Sequence, residues 1–317
     1  NMKRRNFLVK TSVVGSALMF PIGLFNQCST RNKAVPSYLK DYSEIYNEDP
    51  RQASLSWFKE AKFGLFMHYG LYSLTGRGAW VQLLEKIPVA KYMKLMNDFT
   101  AENFDADFIV RMAKDTGMKY VNITTKHHDG FCLFKTAQTD YQTLNTPAKR
   151  DLVAELKTAC DKHGLGLFLY YSIAADWHHP YFCDPKAGWR YFRPDYDEPQ
   201  PEYLYKTESD FIKYIDYVKA QIKELVGQYQ PAGIWLDPLM GFYARPDMFP
   251  MEEIYAQIRA QNPSTLVSFK QGATGTEDFA APERSAESLH ENVKKEFGES
   301  FAPLAEKVWE ANKNKHN

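Results

Sequence analysis

The 317-residue sequence lacks the features that mark several large classes of protein. Its four cysteines are scattered and form no CxxC pair, which argues against a disulfide framework and a zinc knuckle. Basic and acidic side chains are balanced at 39 each, so no basic nucleic-acid-binding surface is indicated. No apolar run reaches the roughly 20 residues of a membrane-spanning helix.

Several catalytic motifs are also missing. The sequence contains no GxSxG, no HExxH and no glycine-rich phosphate loop, so serine hydrolysis, zinc hydrolysis of that type and phosphoryl transfer have no support. What it has in excess is aromatic residues, with 20 Tyr, 21 Phe and 6 Trp. Flat rings suit ligand pockets, including pockets for sugars.

The N-terminal segment has the pattern of an export signal. Two arginines, Arg4 and Arg5, precede an apolar stretch at 13–25, and the order Arg-Arg-x-Phe-Leu-x-Lys, completed by Lys10, resembles the twin-arginine signal of bacteria. We therefore expect an export signal at 1–30, followed by a linker at 31–50 and a folded domain at 51–317, and a periplasmic or extracellular location. Lipid attachment at Cys28 stays open, although Gln27 stands where such sites usually have a small residue.

From residue 51 onward, short apolar runs alternate with amphipathic segments, which predicts βα units on a parallel sheet. The predicted strands are 63–69, 120–125, 165–171, 234–237 and 266–269. Between them, one helix is expected to begin at Asp151 and to end at Gly164. Thr207 and Asp210 are expected to form a capping box at the start of another helix. The aromatic segment at 176–206 follows the third strand and is predicted to form a pocket wall.

Polar side chains end all five predicted strands, which is where a barrel carries its catalytic groups. A metal site is one interpretation, with His68, His127, His128 and Asp237 as potential ligands. Adjacent histidines in extended backbone would point to opposite sides, which weakens that interpretation. Asp237 follows Trp235 and suggests a carboxylate below a sugar stacked on the indole ring, although a helix cap would explain it equally well.

Longer stretches carry a resemblance to a known family. They are 62–73 (KFGLFMHYGLYS), 113–117 (AKDTG), 126–131 (KHHDGF), 149–151 (KRD), 170–172 (YYS) and 235–237 (WLD). In this order the chain resembles the retaining α-L-fucosidases of glycoside hydrolase family 29.

The resemblance implies an α/β fold, a (β/α)8-like TIM barrel, that removes terminal α-L-fucose from oligosaccharides or glycoconjugates without a metal or organic cofactor. Asp237 matches the family's nucleophile. Positions expected to bind the sugar are His68, Trp80, His127, His128, Tyr171, Trp235 and Lys270.

The general acid/base is expected at Glu283, which resembles that position in several members. The alternatives are Glu287, Glu291, Glu296 and Glu299. All of these glutamates follow the fifth predicted strand.

Two departures from the family keep other interpretations open. Ala79 precedes Trp80 where the family often has glutamate, and the residues after Lys270 are too few for three more units of about 30 residues each, so the barrel is expected to be incomplete. A sugar-binding pseudoenzyme or a retaining exo-glycosidase for another sugar therefore remains an alternative.

Overall fold

A computed structural model describes residues 34–182, 193, 196, 203–237, 242, 245–270 and 272–281. Its sheet consists of five parallel strands in the order β1-β2-β3-β4-β5. The strands are β1 (Gly64–Met67), β2 (Tyr120–Lys126), β3 (Gly166–Ser172), β4 (Gly233–Asp237) and β5 (Leu266–Phe269). Each lies within about two residues of its predicted range, so the predicted βα alternation is confirmed.

The sheet curves strongly. Phe66 of β1 and Trp235 of β4 are separated by two strands, which in a flat sheet would hold them about 14 Å apart. Their ring centroids are only 5.6 Å apart. The sheet therefore has the curvature of the (β/α)8-like barrel that the sequence predicts, with alternate residues facing its interior.

Helices cover the outer face of the sheet. The α-helices are α1 (Ser43–Glu48), α2 (Pro50–Ala61), α3 (Val81–Leu84), α4 (Val89–Tyr92), α5 (Ala106–Asp115), α6 (Leu152–His163), α7 (Phe211–Tyr229) and α8 (Met251–Gln261). Short 3₁₀ segments occupy Ser37–Tyr42, Leu71–Thr75, Met93–Asp98, Thr143–Asn145, Glu208–Asp210 and Pro246–Met248. Outward-facing strand residues such as Val121, Leu169 and Ile234 belong to the large core that these helices complete.

The predicted helix boundaries are confirmed. The Asp151 carboxylate accepts the Ala154 backbone N–H at 2.9 Å and begins α6. Gly164 ends that helix in the left-handed conformation, at a φ of 74°, which glycine adopts without steric cost. Ahead of α7, the backbone N–H of Thr207 donates to the Asp210 carboxylate at 3.1 Å, as in a capping box.

Part of the segment expected to be a linker is a packed element instead. Residues 37–48 are helical, and Tyr38, Leu39 and Tyr46 are buried. These side chains share a cluster with Trp57 of α2 and Phe168 of β3. The linker prediction is therefore wrong from Ser37 onward, because apolar side chains among the polar residues of this stretch have a surface to pack against.

The remaining structural predictions concern cysteines and membrane spans. Cys132 and Cys160 are buried and free, whereas Cys28 and Cys183 lie outside the described residues. Among the residues described, no helix combines the length and apolar character needed to cross a bilayer.

Candidate active site

Asp237 ends β4 with its side chain facing the barrel interior, and it is only 5% exposed. The Tyr170 hydroxyl donates a hydrogen bond of 2.7 Å to Oδ2, and the Lys270 ammonium lies 3.4 Å from Oδ1. Nε2 of His128 is 3.7 Å from Oδ2, beyond hydrogen-bond distance. One carboxylate oxygen thus faces a phenol and the other a cation, which fixes the orientation of the group.

Three packed aromatic rings lie beside this carboxylate. The Trp235 indole stacks on the Tyr170 ring with centroids 5.5 Å apart, and Phe66 meets Trp235 edge-on. The Lys270 ammonium lies 6.0 Å from the Trp235 ring centroid. A flat apolar surface therefore borders the carboxylate, which is the surface that the apolar face of a sugar ring requires.

Three histidines line the same space. The rings of His127 and His128 are 4.1 Å apart, and His127 also contacts His68 at 5.4 Å. His127 stacks on Tyr170, at 5.6 Å with an interplanar angle of 15°. The expectation that His127 and His128 point to opposite sides is wrong, because β2 ends at Lys126 and the backbone turns before alternation applies to them.

Burial sets the ionisation of these imidazoles. It lowers the pKa of both His127 and His128 well below the usual value, and the positive charge of Lys270 lowers the pKa of both rings further. Nδ1 of His127 is buried without a hydrogen-bond partner. A neutral imidazole carries one donor and one acceptor, which suits hydroxyl groups.

Trp80 lies at one edge of the site. Its ring is 4.9 Å from His128 and 5.8 Å from Trp177, and the Trp177 backbone N–H donates to the His128 carbonyl at 2.7 Å. Trp177 belongs to the segment expected to form a pocket wall, and it is fully buried against His128. Most of that segment lies outside the described residues.

A buried ion pair lies next to the loop that carries His127 and His128. The Lys126 ammonium lies 2.8 Å from Asp176, and both side chains are almost fully inaccessible. The other Asp176 oxygen accepts the backbone N–H groups of His178 and His179. Burial alone would raise the pKa of Asp176, but the Lys126 charge lowers it to about 2. The pair therefore joins the end of β2 to the loop after β3.

Tyr171 faces away from the site. Its hydroxyl donates to Gln221 of α7 at 2.8 Å, and its ring lies under the Lys126 ammonium. The tyrosine that reaches Asp237 is Tyr170. Because strand residues alternate between faces, the side chain next to the expected one occupies the site. The resemblance missed this residue, although counting back by twos from Ser172 identifies it.

The remaining strand-end predictions divide between the site and the regions outside it. The structure brings together, around one space, the predicted residues His68, Trp80, His127, His128, Trp235, Asp237 and Lys270. The expected acid/base and its alternatives lie outside the described residues, at Glu283, Glu287, Glu291, Glu296 and Glu299. Glu277 is described and buried, where it accepts the Ala273 and Thr274 backbone N–H groups and holds its own loop. Within the described ranges no group of three or more His, Cys, Asp or Glu side chains is arranged to hold a metal ion.

A carboxylate beside a stacked tryptophan at the end of a barrel strand agrees with comparisons to known proteins. The sequence model of the family described as α-L-fucosidase matches residues 29–316. The chain belongs to the α-L-fucosidase family. Plasma α-L-fucosidase of Homo sapiens is 31% identical over 221 residues, which are 63% of this chain and 42% of that protein.

Two solved structures of fucosidases share the fold. The α-L-fucosidase isoenzyme 1 from Paenibacillus thiaminolyticus is 38% identical, with a TM-score of 0.58 over 69% of this chain and 50% of that one. A GH29 α-L-fucosidase from Bacteroides thetaiotaomicron, captured as a covalent intermediate with 2-fluoro-fucosyl fluoride, is 28% identical, with a TM-score of 0.56 over 68% and 48%. The chain spans less than half the length of the human relative.

Proposed function

We propose that this protein is a retaining exo-glycosidase that removes terminal α-L-fucose from a glycan, with Asp237 as the nucleophile. One observation carries the proposal. The Asp237 carboxylate is held between Tyr170 and Lys270, next to the Trp235 ring, at the strand ends of a fucosidase-family barrel. A fixed carboxylate of this kind is what covalent glycosidase chemistry requires.

In the first half of the reaction, an Asp237 oxygen attacks the anomeric carbon of the fucose. The bond from that carbon to the leaving oxygen breaks as an ester to Asp237 forms, and the leaving oxygen takes a proton from a general acid. The covalent intermediate reported for the Bacteroides thetaiotaomicron relative supports this route. Oδ2 accepts from Tyr170 and Oδ1 faces Lys270, so neither oxygen has to rotate into position first.

In the second half, water attacks the anomeric carbon of the ester, and fucose and the free Asp237 carboxylate are released. The residue that gave its proton to the leaving group takes one from this water. We assign that role to Glu283 on the family resemblance, with Glu287, Glu291, Glu296 and Glu299 as the alternatives. Because a retaining mechanism places its two carboxyl groups about 5 to 5.5 Å apart, the acid must reach the space above Asp237.

Recognition of the sugar is assigned to the groups around Asp237. The neutral imidazoles of His127 and His128, together with His68, offer donors and acceptors to hydroxyl groups. Trp235 offers an apolar face, and Trp80 closes the opposite edge beside His128. The unpartnered Nδ1 of His127 supports a polar ligand here, because a buried polar atom without a partner is costly.

The test is hydrolysis of an aryl α-L-fucoside by the wild-type protein and by Asp237→Asn. We expect turnover in the wild type and a loss of at least about 10³-fold in the variant, since the nucleophile is removed. Asp98→Asn, an exposed aspartate, is the matched control and should retain full activity. Fucose binding by a folded wild-type protein that shows no turnover would favour the sugar-binding pseudoenzyme instead.

We further propose that the protein is exported. The support is the order of Arg4, Arg5 and Lys10 ahead of an apolar stretch. Cell fractionation of the native protein and of Arg4→Lys/Arg5→Lys tests this, because a receptor that reads paired arginines should reject the double variant. Unchanged export of that variant would refute the twin-arginine interpretation.

A further inference from the structure

Ser172 is a fully buried residue at the end of β3, opposite Asp237 in the strand register. Its side chain follows Tyr170 on the interior face of the sheet. Two hydrogen bonds involve its hydroxyl oxygen, one of 2.6 Å to the Ala175 carbonyl and one of 2.7 Å to Nδ1 of His128. Neither the resemblance nor the reaction described above assigns this residue a role.

The chemistry of a hydroxyl group allows only one arrangement that makes both bonds. A carbonyl oxygen can only accept, so the single hydroxyl hydrogen of Ser172 must be donated to Ala175. The Ser172 oxygen then accepts, and Nδ1 of His128 must carry the donated hydrogen. Burial lowers the pKa of His128 well below the usual value, so its ring carries only one proton at neutral pH. Nε2 is therefore left as an acceptor.

We propose that Ser172 is a positioning residue that fixes His128 in the Nδ1–H tautomer, so that Nε2 presents a lone pair beside Asp237 to a hydroxyl group of the substrate. This inference rests on the proposed function for its consequence in catalysis. Nε2 lies 3.7 Å from Oδ2 of Asp237. In the opposite tautomer, a hydrogen on Nε2 would replace this lone pair, and the ring could no longer accept a hydrogen bond from a substrate hydroxyl group there.

The arrangement has a consequence for specificity. An acceptor lone pair next to the nucleophile favours a sugar with a hydroxyl donor at that position, and it leaves a buried polar atom unpaired when the hydroxyl is missing. Ser172 acts on this selection only through His128. The effect of removing Ser172 should therefore depend on which hydroxyl groups the substrate carries.

The chain offers a matched control at the opposite end of the sheet. The Thr265 hydroxyl, which precedes β5, donates to the Pro231 carbonyl at 2.8 Å and accepts from Nδ2 of Asn262 at 2.9 Å. It is buried like Ser172 and makes the same pair of bonds, with no histidine involved. Thr265→Val therefore measures what the loss of such a hydroxyl does to folding alone.

The first experiment is nitrogen-15 NMR of the histidine-labelled full chain without substrate, with the His128 signals assigned by comparison with His128→Gln. Two-bond nitrogen–proton correlations distinguish the two tautomers. We expect His128 to be in the Nδ1–H tautomer in the wild type at neutral pH. The same tautomer is expected in Thr265→Val and in Ser172→Thr, because both retain the hydroxyl group at position 172. In Ser172→Ala, we expect the Nε2–H tautomer of His128 to appear. An Nε2–H or doubly protonated His128 in the wild type would overturn the proposal without any variant.

The second experiment compares an aryl α-L-fucoside with its three monodeoxy analogues. With the wild type, we expect kcat/KM for one analogue to be about 10- to 100-fold lower than kcat/KM for the parent fucoside. With Ser172→Ala, the ratio of these two kcat/KM values should approach one. The KM of Ser172→Ala for the parent fucoside should rise about tenfold. An equal loss for all four substrates would overturn the proposed role. If the wild type hydrolyses no fucoside, the proposed function fails, while the tautomer is still decided by the NMR experiment.

Discussion

The Tyr170 hydroxyl donates a hydrogen bond of 2.7 Å to Oδ2 of Asp237, from one strand of the barrel to the next. Tyr170 also contacts His68, His127 and Trp235, so its ring lies at the centre of the site. Its neighbour Tyr171 lies on the other face and bonds to Gln221. Two adjacent tyrosines of one strand therefore have different roles.

This difference gives a paired prediction. Tyr170→Phe should lower kcat/KM for an aryl fucoside by about 10- to 100-fold, because a hydrogen bond to a charged carboxylate contributes about 1.5 to 3 kcal/mol. Tyr171→Phe should leave kcat/KM within about twofold and lower the free energy of unfolding by about 1 kcal/mol. Steady-state kinetics and urea unfolding of both variants check this. A larger catalytic loss in Tyr171→Phe would contradict the assignment.

The buried pair of Lys126 and Asp176 gives a prediction on stability. Lys126→Met and Asp176→Asn should each lower the free energy of unfolding by about 3 to 5 kcal/mol, because each leaves an uncompensated charge in the core. The double variant buries no net charge and should be more stable than the sum of the two losses implies. Urea unfolding of all four proteins gives the coupling energy, and strict additivity would contradict a direct pairing.

Asp129 gives a prediction on pH dependence. Burial raises its pKa to about 7 in the folded protein from an ordinary value of 3.8, although hydrogen bonds from Tyr92 and Phe131 oppose the rise. A raised folded pKa contributes stability that is complete below about pH 4 and is lost as the pH rises through about 7. Asp129→Asn should therefore become more stable relative to the wild type between pH 4 and 8, by up to about 4 kcal/mol.

The measurement for Asp129 is the free energy of unfolding of Asp129→Asn and of the wild type at several pH values. The difference between the two proteins should change with pH. A pH-independent difference for Asp129 would contradict ionisation as the cause.

The strand pattern was predictable from the sequence because its signal is local. Each apolar run ends in a polar residue, and a parallel sheet brings those ends to one edge, so Asp237, Lys270 and His68 could be expected to meet. The face on which a side chain lies depends on register, and an error of one residue reverses it. That is why Tyr171 was expected in the place that Tyr170 occupies.

Other features depend on contacts that a linear pattern does not contain. The helices at 37–48 have a polar sequence, and they are stabilised by burying Tyr38 and Leu39 near Trp57. The backbone turn after Lys126 brings His127 and His128 to the same side, against the alternation expected of a strand. The hydroxyl bonds of Ser172 required the position of the Ala175 carbonyl, which follows from the turn after β3.

In the proposed reaction, Asp237 forms the covalent bond to fucose. Incubation with 2-fluoro-fucosyl fluoride followed by peptide mass spectrometry tests it, because fluoride leaves without a general acid and the fluorine slows hydrolysis of the ester. We predict one fluorofucosyl group on the peptide that contains Asp237, and none on Asp237→Asn. A label on another carboxylate, or an unlabelled wild-type protein that still hydrolyses fucosides, would contradict the account.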